Sequence, residues 1–164
     1  MRRAALCAAL LALAAVPAAR AALPRAGVLD PGRSLGGIRI GERAADVRAA
    51  LGSFRGLCRG CARTTWYYTY RAFDPHGLAV EVRHGRVAGV YTLWQPPGWH
   101  DPRGLDLGAA EAQVDSLAGP LLPVACSGYT ALVADRGRTR TVYYVAGGRL
   151  WAFGLFAHGA DPCR

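Results

Sequence analysis

Cys58 and Cys61, separated by Arg59 and Gly60, are the residues whose type and spacing point most directly to chemistry. A C-x-x-C pair cycles between dithiol and disulfide when a cation or a helix N-terminus holds the attacking thiolate, and Arg59 and Arg63 offer cations. Thioredoxin-like exchange places such a pair between a strand and a helix of a βαβ unit. Here the pair follows a helical stretch and precedes a strand-like one, so a structural disulfide is the preferred reading and a thiol-disulfide oxidoreductase the alternative. Cys126 and Cys163 complete a set of four cysteines beyond the N-terminal apolar run, which allows three connectivities. The pairing expected is Cys58 with Cys61, closing a local loop, and Cys126 with Cys163, tying the C-terminal tail back to the last meander. A tetrahedral zinc site would require a second closely spaced pair, so no metal is expected.

Other catalytic signatures are missing. His76, His84, His100 and His158 each fall in a turn or tail. The serines include no nucleophile elbow, and no glycine run has the spacing of a phosphate loop. Glu81, between Val80 and Val82, is a single mid-strand carboxylate where a hydrolase needs two. The chain is therefore expected to be no enzyme and to use no cofactor. Its aromatic residues are the better lead. Trp66, Tyr68 and Tyr70 alternate with Tyr67, Thr69 and Arg71, and Tyr143 alternates with Tyr144. If helices cover one sheet face, the other would display Tyr67, Arg71, Glu81, Arg83, Tyr144 and Trp151, a mixture typical of interface hot spots. The competing reading is that the half-sheets or the connector between them cover those rings.

The elements that must position these residues are written twice. Gly37-Ile38-Arg39-Ile40-Gly41 returns as Gly104-Leu105-Asp106-Leu107-Gly108, and the Val47 and Gly52 that follow the first copy match Val114 and Gly119 after the second. Repetition at this period signals duplicated supersecondary units sharing one core. Each unit is read as a short opening strand (Leu35 to Ile40, Leu105 to Leu107), an amphipathic helix, and three strands. The helical stripes are Val47, Ala50 and Leu51, then Val114, Leu117 and Ala118, with Gly52 and Gly119 as stops. The strands span 64–73, 78–83 and 86–94, then 129–134, 139–145 and 149–156. The fold class expected is α+β: two tandem strand-helix-three-stranded antiparallel meander repeats, with helices packed on one face of the sheets. Its parts are a tail at 22–34, repeat 1 at 35–94, a proline-rich linker at 95–103, and repeat 2 with its C-terminal tail at 104–164.

Residues 1–21 have the form of a signal peptide: Arg2 and Arg3, an apolar run from Ala4 to Val16, then Ala19-Arg20-Ala21. As a helix that run reaches only about 20 Å, short of the ~30 Å hydrocarbon layer, and no other segment could span a membrane. A secreted or extracytoplasmic protein is expected. The formal charge of +9 rests entirely on arginine, in a chain without lysine or asparagine. That bias fits a GC-rich coding background, so the charge does not argue for a nucleic-acid partner.

The pairing of a G-I-x-I-G turn with V-x-x-x-L-G, followed by a meander and then repeated, resembles beta-lactamase-inhibitor-like proteins and the related small outer-membrane-assembly lipoproteins. The segment from Cys58 to Tyr68, with Tyr91-Thr92-Leu93-Trp94 and Gly98-Trp99, is similar to uncharacterised secreted proteins of high-GC bacteria. The first resemblance implies a non-enzymatic module that binds another extracytoplasmic protein, sometimes across an aromatic sheet face. No lipid-attachment cysteine accompanies it here. A binding or inhibitory module is thus the function expected, with a structural envelope protein as the plainer alternative.

Overall fold

The computed structural model describes residues 22–58, 61 and 63–164. The expected signal peptide at 1–21 and the Arg59-Gly60 centre of the C-x-x-C segment lie outside the described residues.

Alternation of apolar and polar residues, broken by glycine turns, yields one antiparallel sheet of eight strands. Its first half contains β3 (Gly56–Leu57), β4 (Thr64–Thr69), β5 (Gly77–Arg83) and β6 (Arg86–Leu93). The second contains β8 (Leu122–Cys126), β9 (Tyr129–Arg136), β10 (Thr139–Ala146) and β11 (Arg149–Ala157). The order β3-β4-β5-β6-β11-β10-β9-β8 brings the last strands of the two halves together at the centre. That seam is short: Gly154, Leu155 and Phe156 pair with Tyr91, Val90 and Gly89. The Oγ of Thr92 reinforces it by accepting the Phe153 amide at 2.9 Å.

Before each half runs a two-turn helix, α1 (Ala44–Leu51) and α2 (Glu111–Ala118). Gly52 and Gly119 end them at φ 81° and 83°, a region that penalises a Cβ. Each helix is entered through the same contacts. Gly41 donates to the Val87 carbonyl and Ala44 to that of Gly85; Gly108 donates to Leu150 and Glu111 to Gly148. Arg86 donates to the Gly41 carbonyl at 2.8 Å, and Arg149 to that of Gly108 at 3.0 Å. Val47 and Leu51 of α1, with Val114 and Ala118 of α2, are buried in one cluster with Trp66, Tyr68, Val80, Tyr143 and Phe153 of the sheet. Leu117, expected in the helical stripe, is instead 40% exposed, because an eight-residue helix seats only part of its apolar arc.

Four differences from the expected elements bear on the site. The stretch from Leu35 to Ile40 is not a strand: Gly36 and Gly37, at φ 59° and 82°, fold it into a tight turn in which Leu35 and Ile38 exchange backbone hydrogen bonds. Leu105 to Leu107 likewise contributes only an isolated bridge, Asp106 to His100. Each half also carries a fourth strand at its outer edge, β3 or β8, where Pro123 is tolerated because an edge amide need not be paired. Lastly, residues in the expected tail and linker pair with each other. β1 (Gly27–Asp30) lies between β2 (Ser34–Leu35) and β7 (Trp99–His100), running parallel to β7.

Trp99, on the β7 edge of this small sheet, is wholly buried. A Cβ on Gly27 would stand 2.6 Å from the Trp99 ring and one on Gly36 2.8 Å, so both glycines are required by close approach. Nearby, the buried carboxylate of Asp101 accepts from the amides of Arg103 (2.8 Å) and Leu105 (3.1 Å) and from the Arg103 guanidinium. Arg103 in turn donates to the Tyr143 hydroxyl, joining the linker to β10.

Candidate functional site

The six residues expected on an open sheet face are not gathered on one. Tyr144 is 2% exposed and Glu81 4%. Both lie against the C-terminal segment. The Tyr144 hydroxyl donates to the Pro162 carbonyl at 2.6 Å, and the Tyr129 hydroxyl meets the backbone of Arg164. The Arg164 guanidinium stacks 4.2 Å from the centre of the Phe156 ring. Its Nη2 donates to Oε2 of Glu81 at 3.1 Å; its Nε lies 2.5 Å from Oε1 as an ion-pair contact, out of line for a hydrogen bond. Burial raises the Tyr144 phenol well above its ordinary value, against the opposing effect of Arg164.

Trp151 packs half-buried in the same cluster, its ring 5.8 Å from Tyr129 and 6.1 Å from Tyr144. Tyr67 is half-buried beside Tyr91 and Arg83 is exposed. Arg83 and Glu81 line a cavity of about 750 Å³ beside the tail, in which Arg63 lies 3.9 Å from Glu81 and 3.6 Å from Asp161. The covered face therefore holds Glu81, Tyr144 and Trp151 together, and Arg71 lies elsewhere.

Two disulfides, Cys58–Cys61 and Cys126–Cys163, have Cα separations of 5.7 and 5.6 Å. The second fastens the tail to the end of β8. The first lies between β3 and β4, which pair antiparallel, and the Cys58 amide donates to the Thr65 carbonyl at 3.2 Å. Among the described residues, no helix begins at either cysteine to stabilise a thiolate.

Arg71 belongs to a second and larger cavity, about 920 Å³, at the end of the first half-sheet. Its walls come from four places: the N-terminal segment (Leu23, Arg25), the end of α1 (Leu51, Ser53, Arg55), the end of β4 with its turn (Tyr68 to Arg71, Asp74, His76), and the linker (Gln95, Pro97). Trp99 orders this end. Its Nε1 donates to the Tyr70 hydroxyl at 2.8 Å, which donates to the Arg25 carbonyl at 3.4 Å. The Nε of Arg55 donates to the Thr69 carbonyl at 3.2 Å, which holds that guanidinium at the strand end. Asp74 accepts from both the amide and the ring of His76 at 2.9 Å, and the amide bond is the main reason its carboxyl is held below the usual range. Arg25, Arg55 and Arg71 thus line the same cavity as Asp74, a carboxylate that already has a partner in His76.

Tyr68 is the unusual residue of this wall. It is 2% exposed, and among the described residues its buried hydroxyl has no hydrogen-bond partner. Burial pushes its phenol up to about 12, opposed by Arg48. Beside the cavity stand two aromatic side chains turned to solvent: Phe73, fully exposed, between Arg71 and Asp74, and Trp94, 66% exposed, just before Gln95. Both have left-handed backbones, at φ 63° and 53°. The alternation of strand residues had suggested Tyr68 only as part of the core stripe. Arg25, Arg55 and Gln95 come from segments with no periodic signal, and only the fold brings them to β4.

A scan against protein-family models finds no match, and no curated protein matches the chain in sequence. Among solved structures, the chain is similar in fold to a DUF4309 family protein, YjgB, from Bacillus subtilis. The TM-score is 0.55 at 14% identity, over 75% of this chain and 84% of that one. It is also similar to an extracellular protein containing an SCP domain from Bacillus anthracis, with a TM-score of 0.52 at 11% identity; the match covers 73% of this chain and 44% of that one.

Proposed function

We propose that this chain is a secreted, non-catalytic binding module for another extracytoplasmic protein, built from two copies of a helix-and-meander unit and stapled by its two disulfides. The matched helix entries, through Gly41 and Arg86 in one half and Gly108 and Arg149 in the other, support the duplication. So does the sequence resemblance to beta-lactamase-inhibitor-like proteins. Paired disulfides fit an oxidising compartment, as does the likeness to a protein described as extracellular.

The observation that carries the binding reading is the presentation of Phe73 and Trp94 to solvent on left-handed backbones. A bulky residue in that conformation costs roughly 1–2 kcal/mol, and an exposed ring recovers little of it by burial within the monomer. Burial against a partner supplies the missing term. Recognition is accordingly assigned to this end of the first half-sheet, with Arg71 beside the two rings. The tail-covered face around Tyr144 serves as core.

The test is photo-crosslinking in the native envelope. A crosslinking amino acid at position 73 or 94 is expected to give a discrete adduct with an extracytoplasmic protein, which purified wild-type protein competes away and the Phe73→Gly/Trp94→Gly variant does not. Adducts from positions 83 and 151 alone, or from none of the four, would overturn the assignment.

A further inference from the structure

We infer that this chain pairs with a second copy of itself by exchanging C-terminal tails: residues 160–164 of each copy take, on the other, the place they hold here on their own sheet. This contact goes beyond the recognition assigned to Phe73 and Trp94 and leaves both rings exposed.

The tail is held as a bound peptide would be. The Pro162 carbonyl accepts from the Tyr144 hydroxyl at 2.6 Å, and Asp161 lies 3.6 Å from Arg63. The Arg164 guanidinium donates to Glu81 and lies over the Phe156 ring, while Cys163 is bonded to Cys126. Contacts inside the tail, such as that of the Cys163 amide with the Asp161 carboxylate, travel with it. None of the contacts to the sheet depends on the covalent path from Ala157 to Ala160, and a second copy offers each of them in the same geometry. Exchange of identical contacts is a low-cost route from monomer to twofold dimer.

A tail that leaves its own sheet strands what it covered. Glu81, 4% exposed with the tail in place, loses its Arg164 partner, and the buried rings of Tyr144 and Phe156 meet water. Stranded charge and exposed apolar surface are both costly, so the vacated site favours a replacement of the same chemistry. The tail of a second copy has that chemistry residue for residue.

One turn decides between the two arrangements. After β11 the chain bends at Ala157–Ala160, where the Ala160 amide donates to the Ala157 carbonyl at 3.1 Å and Gly159 has φ 77°. That backbone suits glycine and penalises a Cβ. Opening it is the conformational change that exchange requires, and residues 157–164 then extend up to about 27 Å, enough to reach a neighbouring copy.

The Cys126–Cys163 bond makes the choice permanent. As it forms, two thiols lose two electrons and two protons to a disulfide oxidant such as oxidised glutathione, which leaves as two thiols. The same bond closes within one copy or between two. Cys58 and Cys61, only three positions apart, close within one copy in either arrangement.

The experiment mixes equal amounts of unlabelled and heavy-nitrogen-labelled protein, reduces them, and refolds them together in a glutathione redox buffer at about 1 µM and at about 1 mM. Mass spectrometry then weighs the disulfide-linked peptides. At the higher concentration Cys126–Cys163 is expected in mixed light-and-heavy form in a disulfide-linked dimer, with Cys58–Cys61 unmixed; at the lower, both stay unmixed. Gly159→Val, which disfavours the turn, is expected to lower the dimer dissociation constant at least about tenfold. Absence of mixed Cys126–Cys163 at the higher concentration would overturn the inference. Equal mixing at Cys58–Cys61 would do so too, since it marks unspecific crosslinking, as would an unchanged mixed share in Gly159→Val. The refolding contains no other protein, so its failure leaves the crosslinking result at positions 73 and 94 untouched.

Discussion

Arg164 and Glu81, 83 positions apart, form a hydrogen-bonded ion pair beneath the C-terminal segment, with side-chain exposures of only 9% and 6%. This pair decides which sheet face is free. With Tyr144 bonded to Pro162 and the Cys126–Cys163 disulfide at the strand end, it turns an aromatic face that local patterning marks as a binding surface into a second core layer.

Removing one partner of a buried pair leaves the other charge stranded. Arg164→Ala is expected to destabilise the protein by about 2–4 kcal/mol, at the lower end because Arg63 stands near Glu81. A Glu81→Gln/Arg164→Met double variant should recover at least about 1 kcal/mol relative to the summed single losses in urea unfolding. Additive losses would mean that the two side chains act independently.

The two disulfides should differ in worth. Cys126–Cys163 closes a separation of 37 residues and Cys58–Cys61 one of 3. In the loop-entropy model, removal costs about 4 kcal/mol for the longer loop and about 2 kcal/mol for the shorter. Only Cys126→Ser/Cys163→Ser should also release the tail, read as binding of a hydrophobic dye at the uncovered Tyr144 and Phe156. Tight dye binding by the Cys58→Ser/Cys61→Ser variant would contradict this division.

Alkaline pH should unfold the protein. Burial raises the phenols of Tyr68 and Tyr143 to about 12, and it raises those of Tyr91 and Tyr144 as well. A folded-state value above the unfolded one of about 10 contributes stability that is complete below pH 10 and is lost as pH rises toward the folded value. Stability measured by denaturant titration is therefore expected to hold from neutrality to about pH 10 and to fall between about 10 and 12. Tyr68→Phe should make that fall shallower, and an unchanged slope would remove Tyr68 from the account.

Glycine at the left-handed positions should relieve strain. Phe73→Gly and Trp94→Gly are each expected to raise stability or leave it unchanged, with a gain of up to about 1 kcal/mol, while reducing partner crosslinking. A clear loss of stability would show that these rings support the monomer.

The linker tryptophan should be intolerant of crowding. Gly27→Ala places a methyl group 2.6 Å from the Trp99 ring and is expected to cost about 2–3 kcal/mol in thermal or denaturant unfolding.

Much of the fold is legible in local pattern. Runs of aromatic and β-branched residues bounded by glycine-containing turns place β4, β5 and β6. The turns at His84-Gly85 and Gly147-Gly148 separate strands close to where the sequence suggests. Val47 and Leu51 mark a helix face that Gly52 ends. These signals span a few residues, and a strand or helix reports its buried side through its own periodicity. The cavity around Tyr68 is not legible in that way, because its walls come from the N-terminal segment, α1, β4 and the linker.

The sequence alone therefore determined the two helices, the six meander strands, the repeat of Gly37 to Gly41 at Gly104 to Gly108, and an even set of four cysteines beyond the apolar run, because these are properties of neighbouring residues and their spacing. Tertiary structure decided the rest: the pairing of those cysteines, the meeting of β6 and β11 at the centre, the joining of tail and linker around Trp99, and the covering of Tyr144 and Glu81 by the chain that ends at Arg164. Each depends on contacts between residues distant in sequence, whose free energy comes from shared burial and paired charge. No single segment carries that information.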